Sequence, residues 1–575
     1  MSSLHPPELA LKAPNRAMLL RRLAASVRPV RLHWRMETRP LASPSISSRC
    51  ASCAAVPEDP DIGEFLDYME RLKNYERVGV PRGAGTDSDE GFDLGRMRRL
   101  LERFGNPHKR FKVVHIAGTK GKGSTASFIS NILREEGYSV GCYTSPHLLS
   151  VRERISVGKT GDPVPASLLK ELFHEAKGIL DQSVKQENGA LSHFEVFTSL
   201  AFLLFFKERV DIAVVEAGLG GARDATNVIC NSELATAVIT SIGEEHLAAL
   251  GGSLESIAMA KSGIIKNGCP VVIGGPFEPH IEHIIRHKAS LMKSKVISAC
   301  DPRIQNTLKC LTMEKDGKPY QTCDILIQIP DLQTFINLPN VKLQLLGAHQ
   351  LQNAVTATCT ALSLCDQGLV ISEKSIRAGL EKTRLLGRSQ FLTQMEVSLI
   401  GLSGTLVLVD GAHTEASAKG LADVIKMTHP DGTLAFLVAM ASDKDHLAFA
   451  KQLVSGRRPE LVMLTEVSIA GGKSRMVSTS SLKDSWIEAS LDLGVDFLDI
   501  GVIDNVKGDG SWSEALVDCN KMMLGSLQNT SVIDSIKLAD QLLKSRSNNQ
   551  PGLIVVTGSL HLVSYLLAAL QSMEN

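Results

Sequence analysis

A glycine-rich stretch between residues 118 and 125 has the residue types and the position of a phosphate-binding loop. A predicted strand, Lys112–Ala117, precedes it, and a predicted helix, Ala126–Glu136, follows it. Glycines let backbone N–H groups crowd around phosphate oxygens, a helix N-terminus adds partial positive charge, and a lysine can reach the terminal phosphates. The pattern predicts binding of a phosphorylated ligand through Gly118, Thr119, Lys120, Gly121, Lys122, Gly123, Ser124 and Thr125.

The spacing of this loop differs from the common G-x-x-x-x-G-K-[ST] pattern, because Gly123 stands between Lys122 and Ser124. The alternative is an ordinary glycine-rich turn. Two glycine-flanked lysines at a strand-to-helix junction favour phosphate binding over that alternative. The inserted glycine also argues against a switch GTPase.

The elements that must position this loop alternate between short apolar runs and amphipathic helical stretches, from about Pro60 onward. This alternation is the βαβ pattern of a parallel sheet with helices on both faces, and it predicts an α/β fold. Nearly continuous Val, Ile, Leu and Ala runs indicate buried parallel strands. The predicted strands are Lys112–Ala117, Asp211–Ala217, Thr236–Ser241 and Pro270–Gly274 in a first group, and Thr405–Asp410, Thr433–Met440, Leu461–Glu466 and Leu553–Thr557 in a second.

Between the two groups, the stretch from about Ser298 to Leu346 is mixed and rich in turns, and we interpret it as the edge of a first domain. Predicted helices follow at Asn353–Cys365 and Ser375–Lys382, with a turn at Gly387. We place the boundary between two domains there, which gives residues 58–386 and 387–575.

Length and charge limit the classes of function. With 575 residues, the chain suggests two or three domains at roughly 100–200 residues each. The 62 Lys and Arg residues balance the 62 Asp and Glu residues, so no overall field attracts nucleic acid or a membrane surface. No apolar run approaches the roughly 20 residues of a membrane-spanning helix. We therefore expect neither nucleic acid nor membrane as a partner.

Residues 1–57 differ in composition from the rest of the chain. They contain several serines, and their only acidic residues are Glu8 and Glu37. This bias is typical of an organelle transit peptide, and the high arginine density favours the mitochondrion over the plastid. A disordered basic tail is the alternative. The arginines are Arg16, Arg21, Arg22, Arg28, Arg31, Arg35, Arg39 and Arg49.

Several ordered motifs identify a family. The loop resembles that of the Mur ligase superfamily, and the remaining motifs resemble its folylpolyglutamate synthase/dihydrofolate synthase branch from about Phe92 to the C-terminus. The resemblance implies a P-loop ATPase domain with a parallel-rich sheet, then a smaller Rossmann-like α/β domain, with the active site in the interdomain cleft and a monomeric protein. The motifs are Ser145-Pro146-His147-Leu148 with Arg152-Glu153-Arg154, Glu216 to Asn227, His349-Gln350 with Asn353-Ala354, and Asp410-Gly411-Ala412-His413.

The resemblance implies an ATP-dependent ligase. Such an enzyme transfers the γ-phosphoryl group of ATP to a carboxylate, and an amine then displaces phosphate, so catalysis depends on positioning and charge neutralisation. Lys122 matches the phosphate lysine of the family, and Ser145, Glu216 and His246 match its Mg²⁺ ligands. Oxygen donors suit Mg²⁺, whereas imidazole is a less usual ligand and suggests a second metal position. Taken singly, Glu216 could be a loop acid and His246 a surface histidine, but both follow successive predicted strands at one sheet edge.

Further residues match the family by position. Lys261 resembles a lysine that is carbamylated and then bridges to the metal, so we group it with Lys122 and His246 as catalytic residues. In the second half, four residues match positions that hold the nucleotide, and the arginine among them reaches phosphate only if the domains close. They are Asn353, Arg388, Asp410 and His413.

The acceptor acid distinguishes the two activities of this branch. Asp93, Leu94 and Gly95 resemble the loop with which bifunctional bacterial members hold dihydropteroate, and Phe194 also resembles that type. Asp93 could equally start the predicted helix Gly95–Phe104 as its N-cap. We predict a dihydrofolate synthase with dihydropteroate, L-glutamate and ATP as substrates. Folylpolyglutamate synthase is the alternative, because the Asp410 motif with Thr414 resembles the eukaryotic enzymes that extend the glutamate tail.

Three other classes fit the sequence less well. A P-loop regulatory protein would not need the Mg²⁺ ligand set and a nucleotide clamp in a second domain. A cell-wall Mur ligase would need an additional N-terminal domain that binds a uridine nucleotide, but only about 50 residues lie between the predicted transit peptide and the P-loop strand. A catalytically inactive scaffold is disfavoured because every catalytic residue type of the family is present.

Overall fold

The computed structural model describes residues 58–86, 91–314, 317–329, 334–467, 475–504, 520–547, 550 and 552–574. The predicted transit peptide, residues 1–57, lies outside the described residues. Among those described, no helix is both long enough and apolar enough to cross a bilayer.

The described strands form two large sheets and one small one. They are β1 (Lys112–Ala117), β2 (Val140–Tyr143), β3 (Ile155–Ser156), β4 (Ile212–Glu216), β5 (Leu234–Ile239), β6 (Val271–Ile273), β7 (Val296–Ser298), β8 (Ile304–Met313), β9 (Pro319–Ile329), β10 (Thr334–Leu343), β11 (Gln390–Phe391), β12 (Leu406–Val409), β13 (Leu434–Val438), β14 (Leu461–Leu464), β15 (Phe497–Asp504), β16 (Met522–Gln528) and β17 (Leu553–Thr557).

The described helices alternate with these strands over most of the chain. They are α1 (Gly63–Glu70), α2 (Tyr75–Val78), α3 (Leu94–Arg103), α4 (Lys122–Glu135), α5 (Ala166–Gln186), α6 (His193–Lys207), α7 (Leu254–Ser262), α8 (Pro279–Leu291), α9 (Ala348–Asp366), α10 (Glu373–Lys382), α11 (Gln394–Leu399), α12 (Glu415–Thr428), α13 (His446–Gly456), α14 (Thr479–Asp492), α15 (Val532–Arg546) and α16 (Leu560–Glu574).

The first large sheet has the order β3-β2-β4-β1-β5-β6-β7. Its strands are parallel except for the edge strand β3, which pairs antiparallel with β2. Val113 and Val114 of β1 point to opposite faces of the sheet, and each packs in a different hydrophobic core. Helices cover both faces, which explains why these strands are apolar at nearly every position.

The second large sheet has the order β11-β12-β17-β13-β14-β16-β15 and is parallel apart from the β11–β12 pair. The prediction of two α/β domains with mostly parallel sheets is confirmed. The predicted strands lie within two residues of the observed ones, and the bounds of β1 and β17 are as predicted. The second sheet begins at Gln390, beyond Gly387, whereas the domain boundary itself stays a prediction.

The interpretation of Ser298–Leu346 as a turn-rich edge was wrong. This stretch contains the antiparallel sheet β10-β9-β8. Alternate residues of β9, among them Cys323, Ile325 and Ile327, are buried in a core shared with α9. Buried and more exposed residues alternate along the strand, as expected for a sheet with one face exposed to solvent. A search for continuous apolar runs overlooks this pattern.

Candidate active site

Loops at the carboxyl ends of strands from both large sheets line one cleft of about 2710 Å³. Ser145 follows β2, Glu216 ends β4, and the glycine-rich loop follows β1. From the second sheet, Asp410 follows β12 and Gly558 follows β17. Carboxyl ends of parallel strands meet at one sheet edge, where α/β folds bind ligands. The cleft is therefore the candidate active site.

The glycine-rich loop has a backbone that requires glycine at two positions. Gly118 has φ of 154° and Gly121 has φ of 83°. A Cβ atom at Gly118 would collide with Oγ1 of Thr240, and one at Gly121 would collide with Oδ1 of Asn353. These glycines therefore allow the loop to lie close to β5 on one side and to α9 on the other.

Helix α4 begins at Lys122, four residues before the predicted start. Its N-terminal N–H groups, at Lys122, Gly123 and Ser124, have no partner within the helix and are the donors suited to phosphate. The N–H groups of Thr119 and Lys120 are instead bonded to Ser241, at 2.7 Å to its carbonyl and 3.0 Å to its hydroxyl. The first turn of the helix, more than the preceding loop, therefore offers N–H donors suited to a phosphate group.

Sequence reasoning missed the residues that fix this loop from β5. The hydroxyl of Thr240 donates to the carbonyl of Lys120 at 2.7 Å, and Thr119 exchanges hydrogen bonds of 3.1 and 3.0 Å with the backbone of Gly243. The available signal was that Thr240 lies near the end of the predicted strand Thr236–Ser241, the strand that pairs with β1, and that Gly243 lies just after it.

The two loop lysines have different environments. Nζ of Lys122 lies 3.8 Å from Oε1 of Glu216 and 3.4 Å from the carbonyl oxygen of Thr119. Nζ of Lys120 forms a 2.8 Å ion pair with Glu245. Burial by itself raises the pKa of Glu245, but His413 and Lys120 hold it far below its usual range. Glu245, which the sequence analysis did not select, is therefore an anion that competes for Lys120.

The predicted Mg²⁺ ligands Ser145, Glu216 and His246 all line the cleft. The backbone N–H of Ser145 donates to Oε2 of Glu216 at 3.1 Å. No group of three or more His, Cys, Asp and Glu side chains suited to a metal occurs in the described parts of the chain.

The residues present nevertheless fit a divalent cation. Glu216 is only 4% exposed, and this burial raises its pKa, although Lys122 opposes the rise. A cation beside the carboxylate would compensate its buried charge. Partial burial lowers the pKa of His246 to about 4, which leaves its imidazole neutral with a free lone pair for a ligand. Ser145 and Glu216 would hold one Mg²⁺ position and His246 would belong to a second.

Lys261 lies behind the loop and outside the cleft wall. It is 5% exposed, and its Nζ donates to the carbonyl oxygen of Gly118 at 2.8 Å. Burial, with Lys122 nearby, lowers its pKa to about 7. A neutral amine is the form that reacts with carbon dioxide, so the environment suits the predicted carbamylation.

The predicted nucleotide residues of the second half all line the cleft. Asn353 donates to Gln350 at 3.0 Å and faces Gly121. Asp410 accepts hydrogen bonds from the N–H of Ser389 at 2.6 Å and from the N–H of Ala412 at 2.8 Å. The carboxylate of Asp410 therefore holds the backbone of Ser389 and Ala412 in place.

The two remaining predicted nucleotide residues, Arg388 and His413, are adjacent in sequence to Ser389 and Ala412. Arg388 runs alongside Gly411, and its guanidinium, like Lys122, opposes the rise that burial causes in the pKa of Glu216. Nδ1 of His413 donates to the carbonyl of Gly411 at 2.8 Å, and its Nε2 lies 3.8 Å from Glu245. His413 thereby connects the second sheet to the Lys120–Glu245 pair.

The predicted pterin residues lie in the wall of the same cleft, apart from Gly95. Asp93 is the N-cap of α3, and it accepts from the N–H of Gly95 at 2.7 Å. The capping alternative is therefore correct, and it leaves Asp93 and Leu94 in the cleft wall. Phe194 packs over Gly218, where a Cβ would approach its ring to 2.6 Å.

Four predicted residues do not line the cleft: Gly95, Gly118, Thr125 and Lys261. Gly118 and Lys261 act behind the loop, as described above. Thr125 lies in the first turn of α4 and is fully buried. Their placement could not be read from sequence because spacing along a loop does not fix which side meets the ligand.

The fold and this geometry agree with comparisons to known proteins. The Mur ligase middle domain matches residues 116–361. A dihydrofolate synthase/folylpolyglutamate synthase of Bacillus subtilis is 32% identical over 368 residues, covering 63% of this chain and 78% of the relative. The chain belongs to the dihydrofolate synthase/folylpolyglutamate synthase family. It is thus an ATP-dependent, amide-forming ligase of the Mur ligase type.

Other relatives divide between the two activities of the family. A dihydrofolate synthetase of Saccharomyces cerevisiae is 29% identical and covers 61% of this chain and 76% of the relative. A folylpolyglutamate synthase structure from Thermotoga maritima superposes with a TM-score of 0.64 at 27% identity, covering 88% of this chain and 96% of that one. Family membership therefore does not determine which acceptor acid the protein uses.

An ion pair in the cleft wall is a further feature that sequence reasoning missed in this ligase. Arg154, which is 1% exposed, donates to both carboxylate oxygens of Glu76, at 2.9 and 2.7 Å. Its Nε donates to Nδ1 of His147 at 2.9 Å. Arg154 was part of a motif, but nothing in the sequence pattern connects it with Glu76.

Proposed function

We propose that the protein is a dihydrofolate synthase, which joins L-glutamate to dihydropteroate with hydrolysis of ATP to ADP and phosphate. The observation that carries this proposal is that Asp93, Leu94 and Phe194 line the cleft that also contains Lys122 and Glu216. One cleft therefore offers an apolar, aromatic surface for a pterin and a cationic surface for phosphate. A relative of both activities and a relative named for dihydrofolate synthesis support the choice.

The chemistry proceeds in two displacements. A carboxylate oxygen of dihydropteroate attacks the γ-phosphorus of ATP, the bond to the β–γ bridging oxygen breaks, and ADP leaves. The amine of glutamate then attacks the carbonyl carbon of the acyl phosphate, loses a proton, and expels inorganic phosphate. An amide bond is formed, and the acid oxygen leaves with the phosphate.

The residues of the cleft supply charge neutralisation and alignment for these steps. Lys122 and the first N–H groups of α4 bind the terminal phosphates, while Arg388 and His413 approach the nucleotide from the second domain. Lys120 can join them once it leaves Glu245. When bound, Mg²⁺ would neutralise the phosphate oxygens at Ser145 and Glu216, with a second position at His246.

Folylpolyglutamate synthase activity is the second candidate. It is favoured by the sequence from Asp410 to Thr414, which lies in the cleft wall and resembles the eukaryotic extending enzymes. The two candidates use the same ATP chemistry and differ in whether the acceptor already contains glutamate.

A ligation assay with the full chain distinguishes them. The protein is incubated with Mg²⁺, ATP, L-glutamate and either dihydropteroate or tetrahydrofolate, and products are identified by mass. We expect one glutamate to be added to dihydropteroate. Addition only to tetrahydrofolate would assign the protein as a folylpolyglutamate synthase, and no product from either acceptor would contradict both candidates.

We also propose that residues 1–57 direct the protein to mitochondria. The basis is the arginine-rich, acid-poor composition of this segment. Fused to a fluorescent protein, the segment should localise to mitochondria. A matched fusion with Arg21, Arg22 and Arg28 replaced by glutamate should stay in the cytosol, and plastid or cytosolic location of the first fusion would contradict the proposal.

A further inference from the structure

Arg154 is a fully buried cation, and each of its three side-chain nitrogens donates a hydrogen bond. It ends a short turn, Val151–Arg154, beside the Ser145–His147 loop. Nη1 and Nη2 bond to Glu76, Nε bonds to His147, and the guanidinium lies 5.7 Å from the centre of the Phe197 ring. A buried guanidinium must be paired with an anion, because leaving it unpaired is strongly destabilising.

Glu76 is the anion of this pair, and it comes from a different element. It lies in α2, its side chain is 44% exposed, and it forms part of the cleft wall. Burial by itself raises the pKa of Glu76, but Arg154 lowers it to about 2, so the carboxylate is ionised at neutral pH. Arg475 from the second domain donates to the backbone carbonyl of Glu76 at 2.7 Å.

A second arginine–glutamate pair in the cleft wall has a different role. Arg96 bonds to Glu195 at 2.7 Å, but Glu195 also accepts from the N–H and hydroxyl of Ser192 and so caps α6. Within the described residues, the carboxylate of Glu76 accepts hydrogen bonds from Arg154 alone. Glu195 therefore also caps a helix, whereas the carboxylate of Glu76 pairs only with Arg154 among the described residues.

The pairing of Arg154 with Glu76 matters for the number of carboxylates that the acceptor can have. Dihydropteroate has one carboxylate, which is the reacting group. Dihydrofolate and its reduced form have an α-carboxylate beside the reacting γ-carboxylate, and a second carboxylate that is buried on binding needs its own cation. Arg154 lies next to the loop that contains Ser145, but Glu76 already neutralises it, and the partly exposed carboxylate of Glu76 lines the cleft.

We propose that Glu76 is a specificity-determining residue, which restricts the acceptor to an acid without a second carboxylate by holding Arg154 in an internal ion pair. The inference rests on the proposed dihydrofolate synthase function and refines it. It assigns the preference for dihydropteroate to one residue of α2.

The Glu76→Gln variant tests this role. Glutamine has nearly the same shape and still accepts a hydrogen bond from Arg154, but it removes the negative charge. We expect the ratio of kcat/KM for dihydrofolate to kcat/KM for dihydropteroate to rise at least tenfold. Glu76→Asp, which keeps the charge, should retain the wild-type ratio, and Glu195→Gln should lower stability without changing the ratio.

An unchanged ratio in a folded Glu76→Gln protein, with both acceptors affected alike, would overturn the proposal. A measurement on the wild-type protein covers the case in which the variant does not fold. An acceptor with γ-aminobutyrate in place of the glutamate of dihydrofolate keeps the reacting carboxylate and lacks the α-carboxylate. It should be used at least tenfold better than dihydrofolate, and equal or poorer use would also overturn the proposal.

Failure of the proposed function gives a different result. If the wild-type protein does not ligate dihydropteroate, the dihydrofolate synthase assignment is wrong. If it does so and the two ratios do not behave as stated, only the role of Glu76 is wrong.

Discussion

Lys120 of the phosphate loop and Glu245 after β5 form an ion pair of 2.8 Å across the candidate nucleotide site. The same carboxylate oxygen lies 3.8 Å from Nε2 of His413, which belongs to the second domain. Glu245 therefore connects the predicted phosphate-binding Lys120 to a residue of the second domain. We expect binding of ATP to rearrange this connection.

Replacing Glu245 with glutamine should lower the KM for ATP by about two- to fivefold, because Lys120 would no longer be held by a competing anion of a partly exposed pair. Steady-state kinetics with varied ATP would measure the change. Lys120→Gln is the matched variant and should raise the KM. A higher KM in Glu245→Gln would show that Glu245 positions Lys120 for phosphate instead.

Lys122→Ala should reduce kcat by about 10²–10³-fold, which is the size of effect seen when one charge-stabilising donor is removed from an active site. The contacts of Nζ, 3.4 Å to Thr119 and 3.8 Å to Glu216, are long, so we expect Lys122→Ala to fold. Circular dichroism and single-turnover kinetics would separate chemistry from folding. Lys382→Ala removes a surface lysine bonded to Glu135 and should leave both unchanged. Unfolding of Lys122→Ala would show that the lysine is structural.

Gly121→Ala should abolish nucleotide binding, because the added Cβ would collide with Asn353 in a loop whose φ is 83°. Gly137→Ala is a stringent control, since Gly137 also has positive φ, at 103°, but has no atom within 4 Å of the added Cβ. That control should lose about 1 kcal/mol of stability and keep its affinity for ATP. Calorimetric titration with a non-hydrolysable ATP analogue would compare them, and equal affinities would contradict the assigned role of Gly121.

The stability of the first domain should fall as pH decreases below 6.5. Burial lowers the pKa of His115 to about 3, so the unfolded chain takes up a proton before the folded one. Stability is therefore fully present above pH 6.5 and is lost as the pH falls toward 3, by about 1.4 kcal/mol per pH unit for one such group.

Urea unfolding followed by circular dichroism at pH 7.5 and pH 5.5 would measure this loss. His115→Gln cannot titrate but can still donate to Thr226, which lies 2.8 Å from Nε2. The variant should lose about 1 kcal/mol less than the wild type between these two pH values. An identical loss in both proteins would assign the pH dependence to other histidines.

Local sequence patterns were sufficient to predict the elements whose residues differ clearly from their surroundings. The strands Lys112–Ala117 and Leu553–Thr557 were predicted with their observed bounds, because apolar runs covered on both faces are distinct from their surroundings. The start of α4 was placed too late, since glycine and serine have low helix propensity, whereas the helix N-terminus here is fixed by the loop that precedes it.

The sequence by itself thus determined the fold class and the ligase family, and most of the site residues that it predicted line the cleft. Only the tertiary structure decided which residues face a ligand and which support them, as with Lys261 behind Gly118. It also revealed Glu76 with Arg154, 78 positions apart, and Arg475 with Glu76, 399 positions apart. The physical reason is that hydrogen bonds and ion pairs between distant segments depend on how helices and strands pack together. The spacing of residues along the chain does not specify that packing.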